Sequence, residues 1–200
     1  MNLEAPNRLS ALTSRWATAL TERESVTGSE GEAAFGPWLL AQLRREAGFR
    51  QAEIWTIEVG PPDSRHCVAM LLRGTGRSTV LLTGHYDTVT TRDDGALEEL
   101  ATRPEPLTRA LSESLAMADT PAERLARDDL AGGAFLAGRG LLDMKAGLAA
   151  GLAVCSEFAQ GAGQSGNLCL SPYPMKRTIP PAPARLHRCC PQLPQSMISI

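Results

Sequence analysis

The chain has 200 residues, of which 43% are hydrophobic and 21% charged, so it can build a folded core and is not intrinsically disordered. No uninterrupted apolar run approaches the roughly 18 residues needed to cross a bilayer, and we expect no membrane partner. Twenty basic and 22 acidic side chains give a net charge of −2, which excludes a strong electrostatic drive toward nucleic acid. These numbers favour a protein that acts on a small molecule.

The beginning of the sequence lacks a basic segment followed by an apolar stretch, the pattern of a secretory signal. The five cysteines are an odd number, which does not suit a framework of disulfide bonds. Both observations predict a cytoplasmic protein with reduced thiols.

The composition of the chain changes near residue 167. The last acidic residue is Glu157, and seven of the 14 prolines and three of the five cysteines follow residue 168. Proline at this density disrupts helix interiors and central strands. We therefore predict an organised unit over residues 1–167 and a Pro/Cys-rich, irregular tail over residues 168–200.

Hydrophobic periodicity predicts the elements of the organised unit. Apolar residues at three- and four-residue steps indicate helices over 8–23 and 30–47, the second opened by a capping box at Ser29 and Glu32 and ended at Gly48. Strand formers predominate in 53–59, 67–73 and 78–84. Residues 92–129 are polar and indicate a surface insertion with a helix beginning at Pro121, and 144–160 indicate a helix of small residues. Helices alternating with buried strands predict an α/β layered fold.

A first motif, GHYDTV, follows an apolar strand. Strand alternation places His85 and Asp87 on the same side. An imidazole can bind a metal through one nitrogen while its other N–H donates to a carboxylate, so Asp87 is a candidate to orient His85 or to bind metal itself. The alternative is a hydrogen-bonded polar pair at a strand end.

A second motif, GRGLLDMKAG, places Asp143 where a glycine-rich loop enters a helix. A carboxylate there can bridge two divalent cations about 3.5–4 Å apart, the arrangement of two-metal hydrolysis. The alternative is that Asp143 caps the N-terminus of its helix. Lys145 lies either near the metals or in solvent at the helix start.

The two motifs together resemble the di-zinc aminoacylase and carboxypeptidase family, which includes acetylornithine deacetylase, succinyl-diaminopimelate desuccinylase and glutamate carboxypeptidase. The resemblance covers residues 8–167 and implies a three-layer α/β catalytic domain, here with a mixed and incomplete sheet. It implies two zinc ions, with His85 binding one, Asp87 orienting that histidine as a catalytic residue, and Asp143 bridging both. It also implies that the peptide bond after Asp143 is cis.

The activity that this resemblance implies is hydrolysis of an amide bond in a small acylated amino acid or peptide. The insertion and the run DMKAGLAAGLAV look most like the arginine-utilisation branch of the family. Relatives form homodimers through an inserted domain, and this sequence has no counterpart of that domain.

The sequence also departs from the family pattern. The adjacent glutamates that supply the general base and a zinc ligand in the family have no counterpart. After Leu168 the sequence reads CLSPYPMKRTIPPAPARLHRCC instead of an apolar strand that ends in two glutamates. We expect the ligand set to be incomplete and the activity of this polypeptide to be absent or very low. The alternative to an enzyme is an inactive, truncated fragment that binds metal weakly or associates with a partner. The tail is either out-of-frame translation or a genuine divergent end.

Other polar clusters do not predict sites. His187, Cys189 and Cys190 lack the spacing of a zinc finger. The runs Arg92-Asp93-Asp94 and Arg127-Asp128-Asp129 are expected to be solvated, and nothing indicates a nucleic-acid groove.

Overall fold

The computed structural model describes residues 4–59 and 65–174. The chain runs through helices α1 (Glu4–Glu22) and α2 (Glu30–Arg45), strands β1 (Glu53–Glu58), β2 (His66–Leu72) and β3 (Thr79–His85), helices α3 (Pro104–Ser114), α4 (Pro121–Ala131) and α5 (Ala146–Gln160), and strand β4 (Asn167–Tyr173). Short 3-10 helices span Ala47–Phe49 and Arg92–Leu100. Within the described ranges, no helix is long and apolar enough to cross a membrane.

The four described strands form one mixed sheet in the order β1-β2-β4-β3. Strand β2 is antiparallel to both β1 and β4, whereas β3 and β4 are parallel. A parallel pair needs a crossover connection, which here consists of α3, α4 and α5. The predicted α/β fold with a mixed sheet is confirmed. Because His85 pairs in register with Tyr173, it lies at the carboxyl end of the parallel pair.

The main core lies between one face of the sheet and helices α1, α2 and α5. Alternation along β2 directs Val68, Met70 and Leu72 into this core, where they meet fully buried residues such as Leu39 and Leu152. The opposite face carries a smaller cluster of Cys67, Leu71 and Cys169. The sequence pattern therefore sorts each strand into two faces, as a buried sheet requires.

Helix α2 begins where the sequence predicts, but its caps differ from the expectation. The Ser29 Oγ accepts a hydrogen bond from the Glu32 N–H at 3.2 Å, whereas the Glu32 Oε2 accepts from the Gly28 N–H at 2.6 Å. Only half of the predicted capping box is therefore formed. The helix ends at Arg45, and the Glu46 N–H closes it by donating to two carbonyls of the last turn, so the predicted stop at Gly48 is wrong.

Strand β4 crosses the boundary that the composition predicts at residue 167. It is inserted between β2 and β3, and Cys169 at its centre is fully buried. The sheet therefore continues to Tyr173 despite Pro172, which lies near the end of the strand. The remainder of the predicted tail, with His187, Cys189 and Cys190, lies outside the described residues.

Truncation of the Leu152 side chain tests whether α5 packs at the centre of the main core. We expect Leu152→Ala to lower the free energy of unfolding by about 2–5 kcal/mol, because it leaves a cavity among fully buried side chains. The matched control is Leu125→Ala on α4, whose side chain is 64% exposed, with an expected change within about 0.5 kcal/mol. Urea unfolding of both variants measures the difference, and equal losses would contradict the assigned core.

Candidate metal centre

Tyr86 fixes the end of β3. Its ring is fully buried and stacks on Phe35 with the centroids 4.4 Å apart, and its hydroxyl donates to the His66 carbonyl at 2.8 Å. Side chains alternate along an extended backbone, so anchoring Tyr86 in the core turns His85 and Asp87 to the opposite side. The motif therefore holds two polar side chains in place by burying the aromatic residue between them.

The linker between α1 and α2 clamps the same segment from the side. The Ser25 Oγ donates to the Tyr86 carbonyl at 2.6 Å, and the Thr88 N–H donates to the Ser25 carbonyl at 2.9 Å. The Thr27 Oγ1 donates to the Asp87 Oδ2 at 2.9 Å, which occupies one oxygen of that carboxylate. Thr27 and Ser25 are positioning residues that the sequence analysis missed, because no motif marks a contact across 60 residues of chain.

Asp143 lies in a wide turn, Leu141–Lys145, that precedes α5. Its backbone (φ −121°, ψ 93°) is not helical, and the N-cap position of α5 belongs to Lys145. The alternative role of Asp143 as a helix cap is therefore wrong. The Asp143–Met144 peptide bond is cis, as the resemblance implies.

Gly140 allows this turn to pack against the first motif. It has a φ of +74°, and a Cβ at this position would lie 2.2 Å from the Thr88 Cγ2. Only glycine tolerates both the backbone conformation and this close approach. The second glycine of the second motif, Gly140, therefore allows Asp143 to lie beside the end of β3.

The structure brings His85 and Asp143 into direct contact. The His85 Nε2 lies 2.8 Å from the Asp143 Oδ1, which confirms the predicted proximity of the two motifs. The His85 Nδ1 lies 3.1 Å from the Asp87 Oδ1 and 3.3 Å from the Asp87 carbonyl. The His85 and Asp87 side chains are buried, whereas the Asp143 side chain is 68% exposed.

Both ring nitrogens of His85 face carboxylate or carbonyl oxygens, which accept hydrogen bonds but cannot donate them. A neutral imidazole has a single N–H and cannot donate at both positions. Asp87 Oδ1 is also buried, and apart from its 3.1 Å approach to the His85 Nδ1 it has no hydrogen-bond partner among the described residues. Two arrangements satisfy these surroundings. Either both ring nitrogens carry a proton, or a metal ion binds Nε2 and the single N–H lies on Nδ1, where it faces Asp87.

The donor types agree with zinc, which binds imidazole nitrogen and carboxylate oxygen. A catalytic zinc site usually has three protein ligands, and residues 4–59 and 65–174 contain no group of three metal-binding side chains. His85 and Asp143 therefore fit zinc as part of a ligand set.

Lys145 is fully buried beneath the turn, so the solvated alternative is wrong. Its Nζ donates to the Arg23 carbonyl at 2.8 Å and lies 5.1 Å from the centroid of the Phe35 ring. Burial lowers the pKa of the Lys145 ammonium from its ordinary value to about 7, while the Glu24 and Asp87 carboxylates act in the opposite direction. Lys145 therefore joins the end of α1 to the turn that carries Asp143.

A cleft of about 920 Å³ opens at the two motifs. Its lining includes His85, Asp87 and Asp143, together with Asp94 and Arg139. The Arg139 guanidinium holds the Asp94 carboxylate at 2.6 and 3.1 Å. The expectation that Asp94 lies on a solvated face is wrong. Its ion pair with Arg139, 45 residues later in the chain, holds it in the wall of the cleft.

No family model matches the chain. The Bacillus subtilis protein YqjN, described as uncharacterized, is 34% identical over 176 residues, which are 87% of this chain and 30% of YqjN. The dipeptidase Dug1p of Saccharomyces cerevisiae superposes with a TM-score of 0.54 at 16% identity, over 87% of this chain and 34% of Dug1p. Human carnosine dipeptidase 1 superposes with a TM-score of 0.55 at 15% identity, over 86% of this chain and 34% of the dipeptidase chain.

The described residues have the fold of part of these dipeptidases. At such low identity the likeness shows the fold alone. The chain spans about a third of the length of the proteins that it matches. The α/β sheet with its covering helices is therefore shared with peptidase structures, and the chemistry has to be argued from the site.

Gly140 provides a test of the turn that carries Asp143. We expect Gly140→Ala to destabilise the fold and to change the His85 ring signals, because the new methyl group displaces the turn from Thr88. The control is Gly133→Ala, where φ is +69° but no atom lies within 4 Å, so only the backbone strain is shared. Imidazole NMR spectra of both variants measure the effect, and unchanged His85 signals in Gly140→Ala would contradict it.

Proposed function

We propose that this domain is the metal-binding part of a zinc-dependent amidohydrolase or peptidase. The observation that carries the proposal is the 2.8 Å contact between the His85 Nε2 and the Asp143 Oδ1 at the mouth of a cleft. The dipeptidase fold and the two motifs support the same conclusion.

The roles of the residues follow from their positions. His85 binds zinc through Nε2, Asp143 contributes a carboxylate that can bridge two ions, and Asp87 holds the His85 ring through the Nδ1 side. When bound, zinc polarises the scissile carbonyl and lowers the pKa of water toward about 7. Thr27 keeps the Asp87 carboxylate turned toward the ring by binding its second oxygen.

The substrate class that we propose is a small acylated amino acid or peptide. The DMKAGLAAGLAV run and the helical insertion after the first motif support the arginine-utilisation branch. The buried free thiol of Cys155 and the odd number of cysteines in the chain support a reducing compartment such as the cytoplasm.

Hydrolysis needs ligands beyond the two donors that the described part of the chain brings together. We therefore propose that this polypeptide by itself has very low activity. A purified sample with zinc-dependent amide hydrolysis that Asp143→Ala abolishes would contradict this.

A non-catalytic role is the second candidate, because β3 forms an edge of the described sheet and Val80 on it is 60% exposed. A protein of this kind binds metal weakly or pairs with a partner chain through the strand edge. Elemental analysis separates the candidates. About two zinc ions per chain support the enzyme, as in two-metal sites, and a value near zero supports the second candidate.

Zinc binding to single variants tests the assigned ligands. Losing a residue that only orients a metal ligand weakens metal binding roughly 10- to 100-fold. We expect His85→Gln and Asp143→Asn, which each remove a ligand, to weaken zinc binding by at least that much. Asp87→Asn should fall in that range, because it weakens the hold on the His85 ring without removing a ligand. Isothermal titration calorimetry measures all three.

Asp119→Asn is the matched control, since Asp119 is an exposed carboxylate before α4 and is not among the residues that line the cleft. It should leave zinc affinity unchanged. Equal affinity in wild type, His85→Gln and Asp143→Asn would place any bound zinc elsewhere.

A further inference from the structure

The segment between the two motifs is held against the turn that carries Asp143. The Arg139 N–H donates to the Ala101 carbonyl at 2.7 Å, and the Ala137 N–H donates to the Thr108 Oγ1 at 2.9 Å. With the ion pair between Arg139 and Asp94, these bonds tie the 3-10 helix Arg92–Leu100 and α3 to the second motif. The insertion is therefore a wall of the cleft with a fixed position relative to Asp143.

The side of the cleft that this wall forms is apolar. Leu107 and Leu111 of α3 line it, and Val89 and Leu142 flank the candidate ligands. The Val89 side chain is 63% exposed and that of Leu142 is 94% exposed, although both lie within two residues of Asp87 or Asp143. Ligand pockets characteristically combine such apolar walls with a few convergent polar groups.

The charges along the cleft disfavour an anionic group on this wall. Among the described residues that line the cleft, Arg139 is the only lysine or arginine, and Asp94 occupies its guanidinium. Asp87 and Asp143 add negative charge near the candidate ligands. A carboxylate placed on the wall would find no available cation there and would face repulsion.

A cationic group is disfavoured for a different reason. The Asp94 carboxylate is already bound by Arg139, and the Asp87 carboxylate is buried between Thr27 and His85. Asp143 is assigned to metal. Leu107 is only 7% exposed, so the accessible apolar surface comes mainly from the partly buried Leu111 and the exposed Leu142, and it favours a neutral, apolar group.

We propose that this wall is a subsite for a neutral, apolar group attached to the amide that is hydrolysed. This inference rests on the proposed function for the position of the amide, whereas the apolar contact itself does not depend on metal. Leu111 and Leu142 set the preference for an alkyl group. The cleft volume of about 920 Å³ is in the range of small-molecule pockets, roughly 300–1,000 Å³.

Neutral alkyl amides of increasing length test the subsite. Acetamide, butanamide and hexanamide are titrated into the 200-residue chain, and amide shifts in ¹H–¹⁵N NMR spectra give the dissociation constants. We expect affinity to rise about threefold for each added methylene that is buried. Two further probes, 6-aminohexanamide and the monoamide of adipic acid, carry a positive and a negative charge at the chain end. The monoamide of adipic acid should bind the zinc-free chain more weakly than hexanamide does, and 6-aminohexanamide should bind the zinc-loaded chain more weakly than hexanamide does.

Two variants locate the contact. Leu111→Asn should remove most of the gain from butanamide to hexanamide. Leu142→Asn should reduce the gain without affecting stability, because its side chain is 94% exposed. Leu125→Asn, at an exposed position of α4 that does not line the cleft, should leave the series unchanged.

The results separate this inference from the proposed function when each titration is repeated with zinc. A length-dependent series in a chain that binds no zinc supports the subsite and contradicts the metal centre. Zinc binding at His85 and Asp143 with no dependence on chain length overturns the subsite alone. The subsite is also overturned if the zinc-free chain binds the anionic probe, or the zinc-loaded chain binds the cationic probe, more tightly than hexanamide.

Discussion

The contact between the His85 imidazole and the Asp143 carboxylate is the constraint on which the rest of the site depends. It joins a strand end to a turn 58 residues later, and both sides are fixed by burial of a neighbour. Tyr86 is stacked on Phe35 in the core, and Lys145 lies beneath the turn with its Nζ on the Arg23 carbonyl. The exposed Asp143 side chain can thus face the cleft while its backbone is held.

The surroundings of His85 are the reason why we propose a metal at this contact. Oxygen acceptors lie at both ring nitrogens, so a neutral ring with a single N–H leaves one of them unsatisfied. A cation at Nε2 removes this conflict and uses the buried Asp87 carboxylate as the partner of the N–H. Leucines of α3 line the same cleft, and this is why we place the proposed apolar subsite beside the proposed metal centre.

Much of this arrangement was predictable from local sequence patterns. Leu39 and Leu43 mark the buried face of α2, alternation places His85 and Asp87 together, and the two motifs predict the approach of Asp143. Contacts without a local pattern were not predictable. The pairing of Asp94 with Arg139 joins a charged run to a motif 45 residues away, and Lys145 looks like a surface residue until α1 and α2 cover it. Strand β4 likewise overrides the composition of its segment, because burial between β2 and β3 outweighs the proline near its end.

The most direct test of this account is a crystal of the protein soaked in zinc and measured on both sides of the zinc absorption edge. The account predicts an anomalous peak within about 2.0–2.2 Å of both the His85 Nε2 and an Asp143 carboxylate oxygen, with the Asp87 carboxylate on the Nδ1 side of the ring. A zinc peak only at other residues, with the His85 and Asp143 side chains still hydrogen-bonded directly to each other, would contradict it.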